Sequence, residues 1–259
     1  FDRVGNKQLG IKTGNAEEFT SYEEFFTAFK KQHHYFMDIK ITGNHVIETL
    51  YAKHMPVPFL SIITSDCITK GKDYNAGGAR YNTNYIQGVG IGTLTDCLSA
   101  IKYNVYDEKR FSMKDLLDAL EDNFDGHDFI KHMVNHKTPK YGNDDDYADE
   151  IMVEAFHREV AGRPTRKGGV YAIDMLPTTC HVYFGSVMGA SPNGREAYKP
   201  LSEGISPEKG ADRKGPTAVI NSASKMDHIK TGGTLLKQKV TPSVVAGNEG
   251  LENMVSLVR

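Results

Sequence analysis

Turn-forming clusters set the limits on how this chain folds. Ser191-Pro192-Asn193-Gly194 and Pro207-Glu208-Lys209-Gly210 separate short β-prone runs at Val170–Ile173, His181–Phe184, Thr217–Ile220 and Val244–Ala246, a pattern of brief strands joined by turns. The earlier residues read as helix. Ser21-x-x-Glu24 is a capping-box pattern, and Tyr22, Phe25, Phe26, Phe29 and Phe36 follow at spacings that fit one helical face. That periodicity predicts a helix to about Lys53, with Gly43 as its weak point, stopped by Pro56 and Pro58. Phe59–Ile68 predicts a second helix, and the glycine-dense stretch Asn75–Asn82 a loop. Thr93–Val105 predicts a helix with Leu94, Leu98 and Ile101 on one side. Ser112-x-x-Asp115 caps another, carrying Leu116, Leu117 and Leu120 and ending near Asp125-Gly126, and Asp149–Val160 closes the helical part. Residues 1–165 are therefore expected to be mainly helical and 166–259 a mixture of strand and loop. Helices interleaved with short buried strands imply an α/β fold.

Composition excludes several classes of function. The 259 residues carry 31 basic and 33 acidic side chains, a net charge of −2, so no global field draws nucleic acid or an anionic membrane. No apolar run approaches the roughly 18 residues that a spanning helix needs. Cys67, Cys97 and Cys180 are too few and too scattered for a disulfide framework or a Cys-x-x-Cys zinc site. They read as buried, inert thiols in a cytoplasmic protein. The chain opens at Phe1-Asp2-Arg3 without Met and closes at Leu257-Val258-Arg259 directly after a helical pattern. Both ends are expected to be cuts.

The remaining chemical patterns have simpler structural explanations. Gly88-Val89-Gly90-Ile91-Gly92-Thr93 precedes a helix, but its spacing is not that of a dinucleotide loop and no Gly-Lys-Ser/Thr follows. Glycine there is expected for steric reasons. Asp144-Asp145-Asp146 with Asp149 and Glu150 lacks the calcium-loop pattern and suits a helix N-terminus. Cys180 and His181, adjacent on an expected strand, would point to opposite faces and could not form a nucleophilic pair. His33, His34 and His127 fit no metal pattern, and His132 and His136 share a helical spacing without a third ligand. No metal site is expected.

Several stretches together resemble the glycyl radical enzymes, in their dehydratase and lyase branch. They are Gly77-Gly78-Ala79-Arg80-Tyr81-Asn82-Thr83-Asn84-Tyr85-Ile86-Gln87-Gly88-Val89-Gly90, Tyr141-Gly142-Asn143-Asp144-Asp145-Asp146-Tyr147-Ala148-Asp149, Met175-Leu176-Pro177-Thr178-Thr179, Gly189-Ala190-Ser191-Pro192-Asn193-Gly194-Arg195, Gly204-Ile205-Ser206-Pro207-Glu208-Lys209-Gly210 and Lys225-Met226-Asp227-His228-Ile229-Lys230-Thr231-Gly232-Gly233-Thr234. They occur in family order over nearly the whole chain. The resemblance implies that residues 1–259 form part of one catalytic domain, a ten-stranded α/β barrel of two five-stranded halves wrapped by helices. It implies a radical 1,2-elimination breaking C–O, C–N or C–S bonds in a small polar substrate such as hydroxyproline, isethionate, choline or glycerol. Formate acetyltransferase chemistry and a catalytically inactive truncated fragment are the alternatives.

The family's glycyl radical is installed by a partner activase that uses S-adenosylmethionine, with no other bound cofactor, and members are often homodimers. The family's cysteine loop reads Gly-Cys-x-Glu and its glycyl loop Arg-Val-x-Gly-Tyr. None of the three cysteines matches the first and no stretch matches the second. Both radical loops are expected outside this segment, which alone should be inactive and supplies no catalytic residue. The family's pocket is lined from the Met-Leu-Pro-Thr-Thr strand, which makes Thr178 the expected substrate-facing residue, with Met175 behind it. Arg80, Asn82 and Arg195 are expected to order their loops.

Overall fold

The computed structural model describes residues 7–157 and 162–258. Ten α-helices are found among them: α1 (Tyr22–His54), α2 (Pro58–Ile63), α3 (Cys67–Lys70), α4 (Ile91–Ile101), α5 (Met113–Glu121), α6 (Asp128–His132), α7 (Asp146–His157), α8 (Cys180–Ser186), α9 (Pro216–Ser224) and α10 (Gly247–Val258). Strands β1 (Asn84–Gln87), β2 (Tyr171–Met175) and β3 (Thr231–Thr234) form a sheet in the order β1-β2-β3. The Asn84 N–H donates to the Val170 carbonyl and the Gly88 N–H to the Asp174 carbonyl. Both strands advance in the same direction along this ladder, so β1 and β2 are parallel.

The helix starts follow the caps. The Ser21 hydroxyl accepts from the Glu24 N–H at 3.2 Å, and the Glu24 carboxylate accepts from the Thr20 N–H at 2.9 Å. α1 runs through Gly43 without a break, since the turns on either side hold that residue in helix. At α5 the Ser112–Asp115 capping box closes in both directions. The second expected helix is split into α2 and α3 at Asp66, whose φ is +76°. α4 and α6 each continue into a π-helical turn, Lys102–Asp107 and Met133–Lys137. The helix expected at Asp149–Val160 is α7, which begins earlier; residues 158–160 lie outside the described ones.

Three expected strands are not strands. His181–Phe184 lies in α8, and Thr217–Ile220 lies in α9, where Pro216 supplies a helical φ at the first position. Ala218, Val219, Ser222 and Ala223 are buried at a spacing that only a helix places on one face. Val244–Ala246 passes from a 3-10 turn into the start of α10. β1 forms instead around the β-prone pair Tyr85-Ile86, and β3 in Thr231–Thr234, where two central glycines leave pairing rather than side-chain propensity to make the strand.

The chain divides into two compact units, Phe1–Ile86 with His157–Ile173 and Gln87–Phe156 with Asp174–Arg259. In the first, Asp73 accepts from the Val57 and Asn75 N–H groups and the Ser61 hydroxyl, which ties the α1–α2 connection to the loop before β1. In the second, Ile91, Tyr141, Met152, Met175, Ile205, Ala223 and Met226 form one core cluster, so the resemblance motifs supply core as well as loops. Among the described residues no helix is long and apolar enough to cross a membrane.

Candidate functional site

In the second unit, side chains take over the backbone hydrogen bonding where β1 and β2 end. The ladder that joins Asn84 to Val170 and Gly88 to Asp174 would next join the Gly90 N–H to the Leu176 carbonyl. Gly90 turns away at φ +79° to start α4, and its N–H bonds the Ser202 carbonyl at 3.1 Å. The Gln87 side-chain amide takes the vacated position, with Nε2 2.7 Å from the Leu176 carbonyl and 3.0 Å from that of Gly88. Two residues on, the Thr178 carbonyl lies 2.5 Å from Nδ1 of His181 in the first turn of α8. The segment leaving β2 is thus gripped at both ends by side chains.

Thr178 therefore lies beyond the strand, half-buried in the connection to α8. Met175 is the last residue of β2 and completely buried in the core cluster. It packs against Ile205 and its neighbours rather than standing open to a cleft. Cys180 is exposed on α8, not buried on a strand, while Cys67 is buried and burial pushes the Cys97 thiol up to about 12. All three are free thiols. His132 and His136 approach each other across 5.1 Å between ring centroids, but no group of three or more His, Cys, Asp or Glu residues could hold a metal among the described residues.

A cleft of about 660 Å³ opens beside His181, walled by Asn193–Glu196, Lys199–Glu203 and Ser206–Ala211 with Lys131, Lys140, Arg213 and Lys237. Its charges are largely spoken for: Lys131 pairs with Glu196 at 2.7 Å and Lys237 with Glu203 at 3.3 Å. Arg195, only 7% exposed, donates to the Ser191 hydroxyl and to the carbonyls of Gly189, Glu196 and Lys199. Lys140 donates to the Asn193 carbonyl at 2.8 Å and lies 3.8 Å from the wholly buried Asp96. In the first unit, Arg80 forks onto Asp66, and the Asn82 amide donates to the Ala79 and Gly77 carbonyls.

The acidic run after Tyr141 is a counter-ion set. Lys225 lies 3.0, 2.7 and 2.7 Å from Asp144, Asp146 and Asp149, and its ammonium pKa is raised by hydrogen bonds to these carboxylates against the cost of burial. Asn143 donates to the Ala211 carbonyl and accepts from the Arg213 and Lys214 N–H groups. The Tyr141 hydroxyl donates to the Ile205 carbonyl. The glycine-rich run before α4 binds its own chain: the Thr93 N–H donates to the Ser202 hydroxyl, and Thr93 Oγ1 also bonds Glu208. Sequence reasoning missed Gln87, His181 and the Asp96–Lys140 pair. Gln87 lies inside a quoted motif and His181, weighed only as a partner for Cys180, two residues after another, whereas nothing in the linear order links Asp96 to Lys140.

The pyruvate formate lyase-like family model matches residues 1–185 and the glycine radical model residues 201–259. The trans-4-hydroxy-L-proline dehydratase of Clostridioides difficile is 66% identical over 262 residues, covering 100% of this chain and 33% of that protein. The crystal structure of the Clostridioides difficile hydroxyproline dehydratase with trans-4-hydroxy-L-proline bound superposes with a TM-score of 0.96, over 100% of this chain and 33% of that one. The glycerol-bound B12-independent glycerol dehydratase from Clostridium butyricum, 40% identical, gives 0.94 over 100% of this chain and 33% of that one. The chain spans about a third of the length of these relatives. With both family models matched in succession, this chain belongs to the pyruvate formate lyase-like glycyl radical enzymes.

Proposed function

We propose that the polypeptide containing this chain is a glycyl radical dehydratase that removes water from trans-4-hydroxy-L-proline. The observation that carries this is 66% identity, without loss of coverage, to a dehydratase of that substrate, against 40% to the glycerol enzyme. In this reading the radical, installed by an S-adenosylmethionine-dependent activase, abstracts hydrogen beside the hydroxyl-bearing carbon, water leaves, and the hydrogen atom returns.

This chain's part is to build one wall of the site. Thr178, at the carboxyl end of a parallel strand where α/β proteins place their ligands, offers a hydroxyl to a polar group of the substrate. Met175 backs it from within the core. Arg80, Asn82 and Arg195 hold their loops through the carbonyl and carboxylate bonds described above. The three strands are part of a ten-stranded barrel, within one catalytic domain of a cytoplasmic homodimer. Exposed apolar side chains on α1 and α2, among them Ile47, Leu50, Phe59 and Ile63, support coverage by a longer polypeptide.

The test is anaerobic. The intact polypeptide, with its activase, is expected to show a glycyl doublet by electron paramagnetic resonance and to consume trans-4-hydroxy-L-proline. A doublet with turnover of another substrate alone ends the hydroxyproline assignment; absence of the doublet ends the radical reading.

A further inference from the structure

We infer that Gln87 and His181 are positioning residues that clamp the Leu176–Thr178 segment and thereby set where the Thr178 hydroxyl stands. The inference rests on the reading that Thr178 faces substrate. The clamp itself rests on the sheet.

A parallel ladder keeps a chain in place only while its carbonyls find N–H partners on the neighbouring strand. At Leu176 that partner is gone, because Gly90 has turned to begin α4 and bonds Ser202. Leu176 is exposed, so without a protein partner its carbonyl would turn to water and the segment would lose its tie to β1. Gln87 prevents this by extending the ladder with its side chain, 2.7 Å from the Leu176 oxygen. A backbone amide could not do so, since the main chain has already left. At the far end, His181 in its Nδ1–H tautomer donates to the Thr178 carbonyl. Its own carbonyl accepts from the Leu201 N–H at 3.1 Å, so the ring stands on a fixed backbone. Pro177 between them removes one backbone torsion. Between these two anchors a three-residue segment retains little freedom, and the Thr178 side chain is oriented without either anchor touching substrate.

Two measurements on the intact polypeptide test this. Gln87→Met keeps the length of the side chain and removes the donor; His181→Phe removes the ring donor. Each is expected to speed amide hydrogen exchange across residues 178–180 while leaving β2 protected, a readout independent of substrate. With activase and trans-4-hydroxy-L-proline, Gln87→Met is expected to raise KM about tenfold, the loss of roughly one good hydrogen bond, at unchanged glycyl radical yield. Combined with Thr178→Val, it should add no more than about twofold to the effect of Thr178→Val alone, because both act through one hydroxyl. Unchanged exchange in either single variant overturns the clamp. Fully multiplicative kinetic effects overturn its action through Thr178. Wild-type protein that forms the radical yet ignores hydroxyproline sinks the substrate assignment instead, and the exchange result then still decides the clamp.

Discussion

Asp96 shows how far a single residue can depart from its ordinary chemistry. It is fully buried on α4, where one oxygen accepts from the Tyr141 N–H at 2.9 Å and the other has no hydrogen-bond partner among the described residues. Burial pushes its carboxyl up to about 7, against the opposing pull of Lys140. A carboxyl whose folded pKa lies above its unfolded value of 3.8 stabilises the fold most when protonated. That contribution is complete below the unfolded value and lost as pH rises through about 7, a change on the order of a few kcal/mol. Asp96→Asn retains an acceptor for the Tyr141 N–H and cannot ionise. Urea unfolding at about pH 5 and about pH 8 should therefore show a smaller loss of stability on alkalinisation in the variant than in the wild type. An equal loss in both would mean that Asp96 does not titrate in this range.

At the scale of elements, the helix starts obey local rules and the strands do not. The Ser112–Asp115 box was readable because capping uses residues three apart, and Ser112→Ala should cost about 1 kcal/mol in denaturant unfolding. The start of α4 is different. Its glycines are needed because other segments press on them: a Cβ at Gly92 would lie 2.8 Å from the Ser206 carbonyl oxygen and 3.1 Å from the Ser202 hydroxyl. Gly92→Ala, harmless in an isolated helix, is expected to destabilise the protein by about 1–3 kcal/mol through overpacking. An unchanged melting temperature would show that the Ser202–Ser206 loop yields freely. The runs His181–Phe184 and Thr217–Ile220 read as strands because β-branched and aromatic residues favour pleated surfaces. Among the described residues neither has a neighbouring strand to pair with, and a preceding proline or turn lets the helix form.

At the scale of the whole molecule, five of the motifs that mark the family lie in the second unit, where side chains tie several of them together. Lys225 joins the end of α9 to the start of α7 through three carboxylates, one of them the buried Asp149. Removing the cation with Lys225→Met leaves Asp149 buried beside two like charges and should cost about 2–4 kcal/mol in urea unfolding. Adding Asp149→Asn should recover part of that loss, since the stranded charge is then gone. If the double variant is less stable than the single one, Lys225 matters for packing rather than for charge. Asn143 and Tyr141 act similarly, bonding main-chain groups near Ala211 and Ile205, so the motifs are constrained by architecture as well as by chemistry.

The linear order by itself determined the helix caps, the α/β class and the family, since these depend on neighbours within a few residues or on motifs kept in succession. Thr178 could be named but not placed. Its position depends on where β2 stops pairing, and that depends on Gly90 leaving the sheet for Ser202, far along the chain. The same holds for Met175, which alternation on a strand could have faced either way and which the core cluster claims. Only tertiary structure sets which carbonyls lose their partners and which side chains, Gln87 and His181 here, replace them, because hydrogen-bond satisfaction is decided among segments distant in sequence.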